Sequence, residues 1–163
     1  MNKKVKRSLL LVSMLTMLLV IAGCDANPKN FTCKGLTITL TDDFQEKKMN
    51  GFDAYYSSEY VIFSAVEETD EVLQNAGYEI TNLEGYCSEI LSQNNVSSNE
   101  LIKRGDYYYF TNSAVKSGAK YTYVHCMFEG RNSYWICEFV CKAKDYNEYK
   151  KDILEWADSI VID

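Results

Sequence analysis

The chain has 163 residues, enough for one domain of ordinary size. Its 47% hydrophobic and 13% aromatic content, with one Pro and 8 Gly, excludes collagen-like, low-complexity and disordered classes. The net charge of −6 conceals an asymmetry: Lys3, Lys4, Lys6 and Arg7 precede the first apolar run, and residues 1–23 hold no acid. Without that segment 13 bases face 23 acids, a charge of −10, which makes the domain a poor nucleic-acid binder, so no nucleic-acid partner is expected, and implies repulsion from anionic lipid surfaces.

Met1–Arg7 reads as the basic region of an export signal, and Leu9–Gly23 as its apolar region, broken only by Ser13 and Thr16. The run is shorter than the roughly 20 residues that span a bilayer. It ends in Ile21-Ala22-Gly23-Cys24, which resembles a bacterial lipobox: a branched aliphatic, two small residues, then cysteine. That resemblance implies diacylglycerol on the Cys24 thiol, cleavage before Cys24, and lipid anchoring at the outer face of the cytoplasmic membrane. The alternatives are an uncleaved anchor or an ordinary signal peptide cut after Ala22 or Gly23. Residues 1–23 are thus expected as leader, 24–33 as the lipidated cysteine and a short tether, and 34–163 as a single domain.

Within the domain, Leu36, Ile38 and Leu40 alternate with Thr37 and Thr39 as a strand. Asn50-Gly51 marks a turn, and Phe52–Tyr56 and Tyr60–Val66 read as two more strands. The acidic run Glu67–Asp70 reads as a solvated turn. Thr81 and Glu84 form a capping box that opens a helix with an apolar stripe of Leu83, Tyr86, Cys87, Ile90 and Leu91, ended by Asn94-Asn95. Leu101–Arg104 and Tyr107–Ser113 make a hairpin across Gly105-Asp106. Tyr121–Phe128 and Ser133–Cys141 make a second, whose paired positions sum to 263. Cys126 then faces Cys137, Phe128 faces Trp135, Val124 faces Phe139, and His125 faces Glu138 on the opposite side. Asp145 caps a closing helix with Glu148 at its third position and Tyr149, Ile153, Trp156, Ala157 and Ile160 as its buried stripe.

Chemistry is sparse. Beyond Cys24 the cysteines are Cys33, Cys87, Cys126, Cys137 and Cys141. An exported context permits disulfides, and the hairpin register motivates one, Cys126–Cys137. Cys137 and Cys141, four apart on a strand, stand roughly 13 Å apart, too far for two thiolates on one zinc, which lie about 4 Å apart. The single histidine sits on a strand paired with Glu138, no phosphate loop or dinucleotide fingerprint appears, and no calcium loop is present. No catalytic, cofactor or metal residues are therefore expected. Tyrosine stands above background at 13 residues. Tyr55, Tyr107 and Tyr109 are the candidate ligand surface, to be judged by whether such tyrosines are contiguous and more than a third exposed; the competing expectation is that they fill the seam between sheet and helices.

Local phrases carry a further resemblance: Gly35-Leu36-Thr37-Ile38-Thr39-Leu40, Asp43-Phe44, Phe52-Asp53-Ala54-Tyr55-Tyr56 and Trp156-Ala157-Asp158-Ser159-Ile160. Together they resemble the PsbP-like family of small extracytoplasmic lipoproteins, whose fold is shared with the Ran-binding protein Mog. The resemblance implies an α+β fold, an α/β/α sandwich with a central antiparallel sheet flanked by helices on both faces. It transfers no site, because no motif here matches the manganese-cluster support of the photosynthetic member or the GTPase-directed role of Mog. The expected function is a non-enzymatic accessory or binding lipoprotein serving an envelope protein or small ligand. The rivals are a solute- or peptide-binding module with a tyrosine-lined cleft, and a thiol-dependent redox protein.

Overall fold

The computed structural model describes residues 27–163. Two antiparallel sheets organise them. The smaller has strands β1 (Pro28–Cys33), β2 (Leu36–Thr41) and β10 (Val161–Ile162) in the order β1-β2-β10. The larger has β3 (Gln45–Glu46), β4 (Ala54–Ser57), β5 (Val61–Thr69), β6 (Ile102–Arg104), β7 (Tyr107–Lys116), β8 (Ala119–Gly130) and β9 (Ser133–Lys142), in the order β3-β4-β5-β9-β8-β7-β6. Helices α1 (Asp70–Asn75) and α2 (Leu83–Asn94) lie on one face of the larger sheet; α3 (Tyr146–Asp158) and the smaller sheet lie on the other.

Alternation along the central strands divides two cores. Phe63, Val124, Cys126, Phe128, Trp135, Cys137 and Phe139 project toward α3 and β2, where Leu36, Ile38, Leu40, Ile153 and Ala157 meet them. The intervening residues Phe110, Met127 and Tyr134 project the other way and are covered by Leu73 of α1 and Tyr86, Cys87, Ile90 and Leu91 of α2. The expected layered α+β architecture is therefore present. The β8–β9 register is also as expected, with Cys126 opposite Cys137, Phe128 opposite Trp135 and His125 opposite Glu138. At its turn Gly130 has a packing reason: an added Cβ would meet Ser133 Oγ at 2.7 Å and Ile162 Cγ2 at 3.2 Å, so β10 closes over it.

Several local expectations require correction. Residues 28–33 are a strand, not a tether: β1 pairs with β2 from Pro28–Thr41 to Cys33–Leu36, and Phe31 is buried against Tyr56 with ring centroids 4.6 Å apart. The acidic run is no solvated turn. Glu67–Thr69 extend β5, and Asp70 starts α1, capped by Thr69, whose Oγ1 accepts from the Val72 amide at 3.3 Å. The cap of α2 is Asn82 rather than Thr81, with Asn82 Oδ1 accepting from the Gly85 amide at 2.8 Å. Asp145 does precede α3, but its side chain makes no capping hydrogen bond.

The strands define two ends. At one, Asn27 is clasped to Asp42: its amide and Nδ2 donate to the two carboxylate oxygens at 3.1 Å each, and the Asp42 amide donates back to Asn27 O at 2.8 Å. Gln45 then pairs with Ser57, Val61 with Cys141, and Tyr121 with Lys142, so this end also holds the Ser58–Tyr60 turn and the tip of the β7–β8 hairpin. The opposite end holds Gly35, whose carbonyl accepts from the Asp163 amide, and the β8–β9 turn.

Candidate functional site

The three tyrosines proposed as one surface do not form one. Tyr107 and Tyr109 point into the core shared with α3, while Tyr55 alternates with buried Ala54 and Tyr56 and so lies on the reverse face. Four strand spacings separate β4 from β7, roughly 19 Å. Tyr107 is buried, stacked on Phe128 at 4.8 Å, and its hydroxyl donates to Asp158 Oδ1 at 3.0 Å. Arg104 closes the same carboxylate from the outside, Nε at 2.6 Å and Nη2 at 2.5 Å. These bonds hold the Asp158 carboxyl below the usual range against a smaller opposing effect of burial, and they tie β6 and β7 to the end of α3. Tyr109 is half-buried beside Tyr107. Both are seam residues. Among the described tyrosines only Tyr60, at 51%, is exposed; the others are buried or half-buried.

The five cysteines from Cys33 onward are free thiols. Cys126 and Cys137 face each other as the register required, but no bond joins them; both are fully buried among apolar neighbours. Burial pushes Cys87 up to about 12 and Cys141 up to about 11. It raises Cys126 and Cys137 further still. Cys33, the one partly accessible thiol, is also raised, by burial and then by the Asp53 carboxylate; its Sγ donates to Asp53 O at 2.9 Å. A redox thiol needs the reverse, an accessible sulfur of lowered pKa beside positive charge. Cys24 and its lipobox lie outside the described residues, and among those described no helix is long and apolar enough to cross a membrane.

His125 is 5% exposed, stacked on Phe110 at 4.5 Å, with Nε2 3.2 Å from Asn112 Oδ1. Its Nδ1 stands 3.1 Å from Glu138 Oε2 but out of line for a hydrogen bond, an ion pair only when the ring is protonated. No described hydroxyl or thiol is hydrogen-bonded to either ring nitrogen.

What sequence reasoning missed is a cleft. Helices α1 and α2 cover only part of their face of the large sheet. At the end where Asn27 enters, a depression of about 480 Å³ is lined by Tyr55, Tyr60 and Tyr121 with Lys47, Lys142 and Lys144, alongside Ser57, Val140 and the acids Glu59 and Asp145. Tyr60, at the rim, stacks on Tyr149 of α3 at 5.6 Å and 18°. The lining comes from β4, β5, β8, β9 and the loops beside them, so no contiguous stretch of sequence announces it. It presents phenol rings and ammonium groups together, a surface suited to an anionic or hydroxylated ligand.

No family model and no curated protein sequence matches the chain. Solved structures do. A protein from Bacteroides thetaiotaomicron VPI-5482 matches with TM-score 0.55 and 15% identity over 83% of this chain and 48% of that one, so the chain spans about half its length. The cyanobacterial PsbP protein CyanoP from Synechocystis sp. PCC 6803 matches with TM-score 0.50 and 12% identity, covering 90% and 99%. The Saccharomyces cerevisiae Ran-binding protein Mog1p matches with TM-score 0.55 and 7% identity, covering 85% and 96%. At these identities the likeness establishes the fold, as the sequence resemblance implied, and leaves function to the site.

Proposed function

We propose that this chain is a membrane-anchored extracytoplasmic lipoprotein, attached through Cys24, that acts as a non-enzymatic accessory or binding protein. The observation that carries the reading is the junction between leader and domain: a basic and apolar leader ends in Ile21-Ala22-Gly23-Cys24, and three residues later Asn27, the first residue described, is already held by Asp42. Two or more acyl chains at Cys24 supply stable anchoring, which one chain alone does not. The accessory role is supported by the state of the groups able to do chemistry. Among the described residues the five thiols are free and raised in pKa, with only Cys33 partly accessible, the histidine lies between Asn112 and Glu138, and Arg104 is closed on Asp158. The redox alternative finds no support in these thiols.

A second reading, a solute- or peptide-binding module, is favoured by the cleft of Tyr55, Tyr60 and Tyr121. It keeps Tyr55 from the expected surface and gives up Tyr107 and Tyr109.

Metabolic labelling with a fatty acid tests the leading reading. The wild-type chain is expected to incorporate label and enter the detergent phase on partition, and Cys24→Ser to do neither. Label retained by Cys24→Ser would refute attachment at that thiol.

A further inference from the structure

The anchor reading fixes one distance, and the fold turns that distance into an orientation. From Cys24 to Asn27 the backbone can reach at most roughly 11 Å. Asn27 is clasped to Asp42 at one end of the domain, so that end lies against whatever surface holds Cys24. One corner of this end differs in charge from the acidic whole, while Asp42, Asp43 and Glu46 stay on the side where Asn27 enters. The β7–β8 hairpin tip carries Lys116 and Lys120, and the end of β9 carries Lys142 followed by Lys144; the Ala143 amide donates to Lys120 O at 2.9 Å, which gathers the last three. Lys47 adds a fifth ammonium across the cleft. Glu59 and Asp145 line the same cleft, Asp145 lying 3.7 Å from Lys144 Nζ; Glu148 stands near Tyr60, and Glu138 shares a shallow depression with Lys116.

The same end bears amphipathic and apolar groups that water alone does not explain. Val115 is 70% exposed at the hairpin tip, and Tyr60 stands out of the cleft on Tyr149. Lys116 lies over the Tyr123 ring with Nζ 5.4 Å from its centroid. Tyrosine with flanking lysine is the composition that settles at headgroup level, the phenol in the interface and the ammonium on phosphate. Net charge acts at distance, but within a Debye length of about 8 Å the nearest groups decide the sign of the interaction.

We propose that this end of the domain docks on the anionic phosphate headgroups of the membrane that carries the lipid anchor, with Lys116, Lys120, Lys142 and Lys144 on phosphate and Val115 and Tyr60 at the interface. The inference rests on the lipoprotein reading. It deepens that reading by assigning the tyrosine cleft a lipid headgroup as occupant, and it turns the opposite end, with Gly35 and the β8–β9 turn, toward the envelope. Each lysine brought to an anionic surface contributes about a fivefold gain in occupancy of the docked state.

The test uses full-length protein purified from membranes, with the mass of Cys24 verified, in nanodiscs of phosphatidylcholine alone or with added phosphatidylglycerol. Amide hydrogen exchange is read at residues 58–61, 114–121 and 141–146, with 130–133 as the distal reference. Exchange at the first three segments is expected to slow about tenfold in anionic discs relative to neutral ones. The protection is expected to vanish in high salt and in Lys116→Glu/Lys120→Glu and Lys142→Glu/Lys144→Glu variants, whose distal exchange stays native. Equal exchange in both lipids with Cys24 acylated overturns the docking and leaves the anchor intact. Protection at 130–133 instead overturns the orientation. The same protection from inorganic phosphate in neutral discs overturns the headgroup assignment in favour of a free anion. An unmodified Cys24 overturns the anchor and the docking together.

Discussion

Replacing Phe31 by Ala asks whether the domain begins at Pro28 or after a loose tether. Phe31 is the one fully buried side chain of β1, 6% exposed, wedged against Tyr56, which in turn stacks on Phe63 at 5.8 Å. Truncating a buried Phe removes its transfer free energy and leaves a cavity, a cost of about 3–5 kcal/mol. Phe31 sits at the margin of the core under an edge strand able to relax, so the lower figure, about 3 kcal/mol, applies. With a urea m-value of about 2 kcal/mol/M for a domain of this size, the midpoint falls by about 1.5 M at unchanged m. Equilibrium urea unfolding followed by tryptophan fluorescence reads this directly, since Trp135 and Trp156 both belong to the affected core. Lys29→Ala is the control, removing an exposed side chain whose Nζ lies 4.7 Å from the Phe31 ring, and it is expected to cost no more than about 1 kcal/mol. A midpoint for Phe31→Ala within about 0.3 M of wild type would show that residues 28–33 carry no core packing and would refute β1 as part of the domain.

Three further outcomes are expected. Asp158 has its folded pKa lowered, so its stabilisation is complete above the unfolded value near 4 and is lost as pH falls through that value toward the lower folded one. Urea midpoints measured at pH 6 and pH 3 should therefore fall less for Asp158→Asn than for wild type, and equal falls would remove the Arg104–Asp158 pair from the stability account. Asn82→Ala should cost about 1 kcal/mol and Thr81→Ala no more than about 0.5 kcal/mol, and the reverse order in thermal unfolding would restore Thr81 as the cap of α2. Thiol titration of the denatured chain without reductant should find Cys33, Cys87, Cys126, Cys137 and Cys141 all reactive; loss of two, mapped to Cys126 and Cys137, would establish the disulfide.

The residues legible in the sequence are those whose burial repeats. In β8 and β9 every second residue enters the α3-side core, so a one-residue slip would mix the faces, and the register with Cys126 opposite Cys137 and Phe128 opposite Trp135 is the one observed. The sandwich follows, because helices with one apolar stripe need the sheet faces those strands create. Elements with a single buried residue left no such pattern. β1 buries Phe31 alone and so read as tether; α1 buries Leu73 alone and, beyond Asp70 at the end of the acidic run, drew no reading. At α2, Thr81 with Glu84 satisfied the capping-box pattern, but Asn82 reaches the Gly85 amide and wins the position. The tyrosines misled for a related reason: alternation says that Tyr107 and Tyr109 share a face but not that α3 covers it. The cleft was invisible because Lys47, Tyr60, Tyr121 and Lys144 come from four separate stretches that only the strand order brings together.

Anchoring depends on the junction at Cys24, and intact mass spectrometry of the protein recovered from cell membranes reads that junction directly. The predicted product lacks residues 1–23, begins at Cys24 and carries diacylglycerol on its thiol. A chain retaining Met1, or one cleaved before Cys24 but bearing no lipid, would contradict it.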